Sequence, residues 1–348
     1  MTISRLTTMA VAAAITLTAL GSAAMAAVSN VPASRLASLA RGINADNVVN
    51  NTRMADYGGD DLRKLRAMGF TYIRIPIDPS FVIRSLPIER GEGLSDDSRV
   101  SFGLQRLDEH VEKFTRAGFA VMLALQPQKS FMALPTEESQ ARLLEATDVL
   151  TKRYAARYSP DQLFLETVNE PHYDNTTWNE FAPRLVAEIR QNAPRHTIIV
   201  PPAWWDLPTN FKDLTPIDDP DIVYTMHVYQ PNALTTQGSG GGHHPDFRFP
   251  KPADSSDPTE WTEEKLDAYI RLGVDWADAH HVPLIMNEFG TTNVADRTSR
   301  LNWVQFMLAE ADRYHFGWAW WAFDGRLFGL NPHGKGYDPD LVQLLSKR

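Results

Sequence analysis

The sequence predicts an α/β fold with a parallel sheet, in a single domain. Eight apolar runs of strand length alternate with segments of helical pattern, and this alternation is typical of parallel sheets. The chain has 348 residues, of which 43% are hydrophobic, and this is enough for one large core. Two of the runs end in a carboxylate close to a chain-breaking residue, which indicates where the functional site lies.

The predicted strands and helices follow one another along the chain. The apolar runs lie within 39–44, 72–76, 119–125, 163–171, 197–200, 221–229, 283–290 and 317–323. Helical patterns cover about 60–68, 102–117 and 137–158. The first two end at Gly69 and Gly118, and glycine is common at helix C-termini. The sequence shows no internal repeat and no linker to a further module, so we expect one domain.

The fourth run ends at the motif Asn169-Glu170-Pro171. Its apolar residues are typical of a strand that is buried on both faces. Pro171 has no N–H for strand pairing and restricts the residue before it, so the pairing must stop there. Asn169 and Glu170 therefore project from the carboxyl end of a buried strand, where parallel α/β sheets bind ligands.

The seventh run ends in the same way, with Asn-Glu-Phe-Gly at 287–290. Two carboxylates at strand ends suit retaining glycoside hydrolysis, in which one protonates the leaving oxygen and the other attacks the anomeric carbon, and in which the two carboxyl groups lie about 5–5.5 Å apart. The Asn-Glu-Pro and Asn-Glu-Phe-Gly pair resembles glycoside hydrolase family 5, which contains cellulases and mannanases. The resemblance extends over about 39–339. It implies a (β/α)8 TIM barrel, with Glu288 as nucleophile, Glu170 as acid/base, and no metal or organic cofactor.

Arg74 interrupts the β-branched residues of the second run. An unpaired charge inside a strand is costly, so Arg74 must meet a carboxylate or reach solvent. It is either part of a structural ion pair or, as the resemblance implies, a neighbour of the nucleophile. Glu166, in the fourth run, shares strand parity with Glu170, and we expect it lower in the barrel in an ion-pair or hydrogen-bond network. Gln126 stands where the family usually has a histidine, and it forms hydrogen bonds but does not titrate near neutral pH.

The sixth run contains His227 and Tyr229, which point to the same side because they are two positions apart. A histidine on a barrel strand is more often a core residue, but the tyrosine at the strand end favours a functional role. The resemblance places His227 in the sugar pocket and the Tyr229 hydroxyl next to the nucleophile. It also places His172 along the cleft and Asn169 at the sugar 2-hydroxyl.

Tryptophans occur after the fifth predicted strand and within the eighth. Trp204 and Trp205 either pack into the core or stack on pyranose rings, and the sequence leaves both possibilities open. The eighth run has three tryptophans within four residues, more than a core ordinarily needs. The resemblance implies that Trp321 is the one that stacks on the sugar.

The N-terminal residues 1–26 predict a signal peptide. Arg5 precedes an apolar segment at 9–20, and Ala-Met-Ala at 24–26 fits a cleavage site. This segment is shorter than a membrane anchor, so we expect export to the periplasm or the medium, with 27–348 as the mature barrel. The chain has no cysteine, which excludes disulfides, thiolate catalysis and thiolate-bound zinc.

Charge and family together limit the partner. Without 1–26 the net charge changes from −9 to −10, which argues against nucleic acid or an anionic membrane. We expect a monomer that acts on β-glucan or a related polysaccharide or oligosaccharide, with endo-β-1,4-glucanase as first choice. β-Mannanase and β-1,3- or mixed-linkage glucanase are alternatives, because loop shape decides among them. The long segment 230–260 is expected to be irregular and to border the cleft.

Two hypotheses of other classes are weaker. Four histidines suggest a metal-dependent hydrolase: His172, His227, His243 and His244. None of them stands in a spaced metal-binding motif. A non-catalytic carbohydrate-binding barrel also fits export and tryptophan-rich loops. That class is expected to have lost a catalytic carboxylate, and this sequence retains both.

Overall fold

The computed structural model describes residues 29–46, 48–49, 57–86, 95–240, 242–252, 255 and 261–346. The predicted signal peptide and part of the 230–260 segment therefore lie outside the described residues. Eight parallel strands pair in sequence order, and the last pairs with the first, so the sheet closes into a barrel. This confirms the predicted (β/α)8 fold.

The strands and helices alternate through the described part of the chain. The strands are β1 Arg41–Asn44, β2 Tyr72–Ile77, β3 Ala120–Leu125, β4 Leu163–Glu166, β5 Ile198–Val200, β6 Ile222–Val228, β7 Leu284–Phe289 and β8 Gly317–Trp320. The helices are α1 Ala33–Ser38, α2 Gly59–Ala67, α3 Asp96–Arg116, α4 Lys129–Met132, α5 Thr136–Tyr154, α6 Asn175–Asn192, α7 Ala203–Asp206 (a short turn whose backbone angles at Trp204 and Trp205 are not helical), α8 Asn232–Thr235, α9 Glu263–His280, α10 Arg297–Arg313 and α11 Pro339–Leu345. None of these helices is long and apolar enough to span a bilayer.

Two apolar layers hold the barrel together. The larger one lies between the strands and the surrounding helices. The smaller one fills the barrel interior with side chains that include Tyr72, Met122 and Phe164. Tyr72 packs directly over Gly42, where a Cβ atom would lie 2.2 Å from the tyrosine ring. The barrel is therefore filled below its carboxyl end, and only the mouth is left for polar residues.

Several predicted boundaries were wrong, each for a local reason. Helix α3 begins at Asp96 rather than near 102, because the Ser95 hydroxyl accepts the Ser98 N–H as an N-cap. Strand β8 ends at Trp320, and the chain continues through a turn rather than to residue 323. The segment 230–260 is not wholly irregular, because it contains helix α8.

Candidate active site

Arg74, on β2, is the centre of the polar network at the barrel mouth, and its side chain is completely buried. Its Nε and Nη2 atoms donate to the two oxygens of Glu166, each at 2.7 Å, and its Nη1 donates to Glu288 Oε1 at 2.7 Å. Nη2 also donates to Asn169 Oδ1 at 2.6 Å. One guanidinium thus pairs with two buried carboxylates and orients an amide, which compensates the cost of burying the charges.

Glu288, near the end of β7, is fixed through both carboxylate oxygens. Oε1 accepts from Arg74, and Oε2 accepts from the Tyr229 hydroxyl at 2.9 Å. His227 Nδ1 lies 3.7 Å from Oε2. Burial raises the pKa of Glu288, while His227, Arg74 and the Tyr229 hydroxyl act against this rise. The carboxylate is held in one orientation by donors that favour its ionised form.

Glu170 lies just beyond β4, in a turn where its own φ is +47°. Such a backbone conformation is uncommon outside glycine and is found at functional sites. Its Oε1 lies 3.0 Å from His227 Nδ1, and one of its oxygens lies within 4.8 Å of an oxygen of Glu288. Burial raises the pKa of Glu170 to about 7. The charge of Arg74 opposes this rise, and the charge of Glu166 adds to it. Glu170 therefore keeps its proton up to near-neutral pH.

Three aromatic residues, His172, Trp204 and Trp205, form an aromatic wall beside Glu170. Trp204 and Trp205 are 41% and 45% exposed, so neither is a core residue. The His172 ring packs edge-on against Trp205, with ring centroids 3.9 Å apart. The backbone N–H of Trp204 donates to the carbonyl of Pro171 at 2.8 Å, which attaches this wall to the turn that carries Glu170. Flat, exposed indole rings of this kind bind the C–H faces of sugars.

The comparison with protein families identifies the family of the chain. The model for cellulase, glycosyl hydrolase family 5, matches residues 43–325. The chain belongs to glycosyl hydrolase family 5. It is therefore an O-glycosyl hydrolase.

Relatives of this family 5 chain include proteins named as endoglucanases. Endoglucanase 3 of Fibrobacter succinogenes is 25% identical over 345 residues, which are 85% of this chain and 51% of that enzyme, so the chain spans about half of that relative. Two structures of Thermotoga maritima Cel5A, one with cellobiose and one with mannotriose, are each 25% identical to it. Their TM-scores are 0.75 and 0.74, and they cover 91% and 89% of this chain and 99% and 98% of the Thermotoga chain.

Most of the polar residues with a family 5 resemblance come together in the structure. The network contains Arg74, Asn169, Glu170, His227, Tyr229 and Glu288. Glu166 lies below them and binds Arg74, as expected. Trp318 and Trp320 are core residues, whereas Trp321, after β8, is half-buried, so the core contains two of the three tryptophans of this run. The stacking of Trp321 on a sugar stays a prediction.

Gln126 is the predicted site residue with the least support. Its backbone N–H donates to Ile77, and its carbonyl accepts from Gln128. Within the described residues, its side chain makes no hydrogen bond to either glutamate. Its predicted contact with the sugar stays a prediction.

Three residues of the site were missed by sequence reasoning. Asn44, at the end of β1, accepts from Arg74 and donates to the Asn287 carbonyl at 3.0 Å. The Asn287 side chain donates to Glu166 Oε2 at 2.7 Å. Both asparagines stand at the ends of apolar runs, which is a usable signal. Asp206 follows two tryptophans in a loop, and nothing in its local sequence indicates that it is buried beside the site.

In the part of the chain that the structure describes, the histidines do not form a separate metal site. Among the described residues, the one group of three potential ligands within 4.8 Å of one another is Glu170, His227 and Glu288. The Arg74 guanidinium, 2.7 Å from Glu288, already supplies positive charge there, and this opposes a divalent cation. His243 and His244 are exposed on the 230–260 segment and do not belong to the group.

Proposed function

We propose that this protein is a retaining endo-β-1,4-glucanase. The proposal is supported above all by the separation of the two glutamates at the barrel mouth, with oxygens of Glu170 and Glu288 within 4.8 Å of each other. Retaining enzymes have carboxyl groups about 5–5.5 Å apart, whereas inverting enzymes need about 6.5–9.5 Å to admit a water molecule. A spacing at the short end favours direct attack by one carboxylate.

The chemistry divides between the two acids. Glu170 transfers its proton to the glycosidic oxygen while Glu288 attacks the anomeric carbon, so the sugar–oxygen bond breaks as the glycosyl–Glu288 ester forms. Glu170, now a carboxylate, then takes a proton from water, and the resulting hydroxide equivalent displaces Glu288 from the sugar. Asn169 accepts from Arg74 through its oxygen, which leaves its NH2 group for the sugar 2-hydroxyl.

The substrate class is supported by the relatives and by the aromatic wall. The named relatives are endoglucanases, and the Thermotoga enzyme has been seen with cellobiose. The same enzyme has been seen with mannotriose, so β-mannan is the second candidate. Trp204, Trp205 and Trp321 are proposed to stack on successive sugars. The 230–260 segment is proposed to border this cleft, since Thr235 donates to the carbonyl of Tyr229.

We also propose that the enzyme works as a monomer outside the cytoplasm. The support for export is the sequence of residues 1–26, with its basic start, apolar centre and small residues at the cleavage site. A polysaccharide too large to enter the cell is reached only by an exported enzyme.

The test compares substrates and variants side by side. We expect reducing-sugar release from carboxymethylcellulose above that from mannan and laminarin, with the β-anomer as the first product. Glu288→Ala and Glu170→Ala are expected to abolish this release and to leave the circular dichroism spectrum unchanged. Glu137→Ala, on the exposed side of α5, is the matched control and should match wild type. Normal turnover by Glu288→Ala would disprove the assignment.

A further inference from the structure

Asp206 and Glu170 lie on opposite edges of one imidazole ring. His227 Nδ1 is 3.0 Å from Glu170 Oε1, and His227 Nε2 is 3.1 Å from Asp206 Oδ2. Asp206 is completely buried. The Nε2···Oδ2 pair is close but lacks the alignment of a full hydrogen bond. Such contacts in empty active sites commonly tighten when substrate binds.

The backbone of the turn that buries Asp206 is strained. Trp204, Trp205 and Asp206 have φ values of +51°, +66° and +53°, three consecutive residues in the left-handed region. Each such residue costs about 1–2 kcal/mol, so the turn must be held by its surroundings. Asn210 does this in part, because its amide donates to the carbonyls of Ala203 and Trp204. The same turn presents two indole rings to solvent and directs one acid inward.

The surroundings of Asp206 favour its neutral form. Burial raises the pKa of Asp206 well above its ordinary value, and the charges of Glu166 and Glu170 add to this. Arg74 and the Glu170 backbone N–H act in the opposite direction. Burial also lowers the pKa of His227. These directions favour a neutral imidazole with one N–H and a protonated Asp206, so the ring's tautomer depends on which neighbour donates.

We propose that Asp206 is a positioning residue that holds His227 in the Nδ1–H tautomer by donating a hydrogen bond to Nε2. The inference rests on the proposed role of Glu170 as acid/base. In this tautomer His227 donates to Glu170 Oε1, which leaves the Glu170 proton on Oε2 for the leaving oxygen. After that proton is transferred, the same N–H stabilises the Glu170 carboxylate. The other tautomer would accept the Glu170 proton in a hydrogen bond and hold it away from the substrate.

The experiment uses two substrates that differ in their need for a general acid. Dinitrophenyl β-cellobioside has a leaving group that departs without a proton, whereas cellotetraose requires one. Asp206→Ala is expected to lower kcat/KM for cellotetraose by about 10- to 100-fold and for the dinitrophenyl substrate by less than about 3-fold. Asp206→Asn retains a donor at the same place, so kcat/KM for cellotetraose should stay within about 3-fold of wild type.

A matched control separates positioning from damage to the loop. Asn210→Ala loosens the same turn without touching His227, and we expect it to change kcat/KM for the two substrates by equal factors. The proposal is overturned if Asp206→Ala also slows both substrates equally, or if Asp206→Asn loses as much as Asp206→Ala. The proposed function is tested independently by turnover of the wild-type enzyme and its loss in Glu288→Ala. Failure of the Asp206 proposal is therefore distinguishable from failure of the proposed function.

Discussion

At the scale of single residues, Arg74 determines the geometry of the site. It pairs with Glu166 below and Glu288 beside it, and all three side chains are almost completely removed from solvent. A lone carboxylate at either position would be costly to bury, so the arginine permits two acids to share the barrel mouth. The planar guanidinium also fixes directions, since Nη1 and Nη2 bind different partners.

We expect Arg74→Lys to lose both stability and activity. A lysine has one nitrogen on a flexible stem, so it cannot satisfy Glu166 and Glu288 together. Breaking a buried pair should lower the free energy of unfolding by about 3–5 kcal/mol, measured by urea denaturation. The control is Arg63→Lys, in an exposed pair with Asp60, which should not change the unfolding midpoint measurably. Equal effects of the two substitutions would contradict the proposed importance of the buried network.

The pH dependence follows from Glu170. The free enzyme must present this acid protonated, and its pKa is raised to about 7, chiefly by burial. We expect kcat/KM for cello-oligosaccharides to fall about tenfold per pH unit above that value, and to fall also at acid pH, where the Glu288 nucleophile becomes protonated. Activity is thus lost as the pH rises through this pKa, which is the direction expected for an acid that must be protonated to react. A profile that stays flat up to pH 9, with the fold intact, would exclude Glu170 as the acid.

Sequence reasoning found the two glutamates but not the aspartate, and the difference is physical. Glu170 and Glu288 each end an apolar run, so strand periodicity alone brings them to the same end of the barrel. The burial of Asp206 depends on three left-handed residues in a loop. Backbone conformations of that kind are set by surrounding contacts rather than by the residues that adopt them.

At the scale of elements, the loop that follows β5 serves two purposes. It exposes Trp204 and Trp205, and it buries Asp206 two residues or fewer away. The existence and the order of the strands were predictable, because each strand coincides with an apolar run in the sequence. Their ends were not: Trp320 is the last residue of β8, and the tryptophans inside that strand pack in the core.

We expect Trp205→Ala to weaken substrate binding without unfolding the protein. Loss of one stacking face should raise KM for cellopentaose about 5- to 15-fold, which corresponds to about 1–1.5 kcal/mol, with kcat nearly unchanged. The melting temperature should stay near that of wild type, because Trp205 is exposed.

The matched control for that substitution is Trp178→Ala on α6. Trp178 is completely buried and donates to the Pro201 carbonyl at 2.9 Å. Its removal should lower the free energy of unfolding by about 3–5 kcal/mol. A Trp205→Ala variant that unfolds like Trp178→Ala, or that binds cellopentaose like wild type, would show that Trp205 is not a sugar platform.

At the scale of the whole molecule, the two ends of the barrel have different tasks. Polar residues gather at the carboxyl ends of the strands, whereas the opposite end closes the sheet through tight backbone packing. The backbones are close at the seam between β1 and β8, where a Cβ atom at Gly317 would lie 2.1 Å from the carbonyl oxygen of Leu39. Stability and chemistry are therefore separable along the barrel axis.

Substitution of Gly317 tests this separation. In Gly317→Ala the added methyl group meets backbone atoms, which cannot rotate away, so the seam must open and the free energy of unfolding should fall by about 1–3 kcal/mol or more. Because Gly317 begins its strand and Glu288 lies near the end of the neighbouring one, kcat/KM of the folded enzyme at 25 °C should stay close to that of wild type. Gly240→Ala, at a position with open space around it, is the control and should leave the urea midpoint unchanged. A Gly317→Ala enzyme that is as stable as wild type but catalytically impaired would reverse the assignment of the two ends.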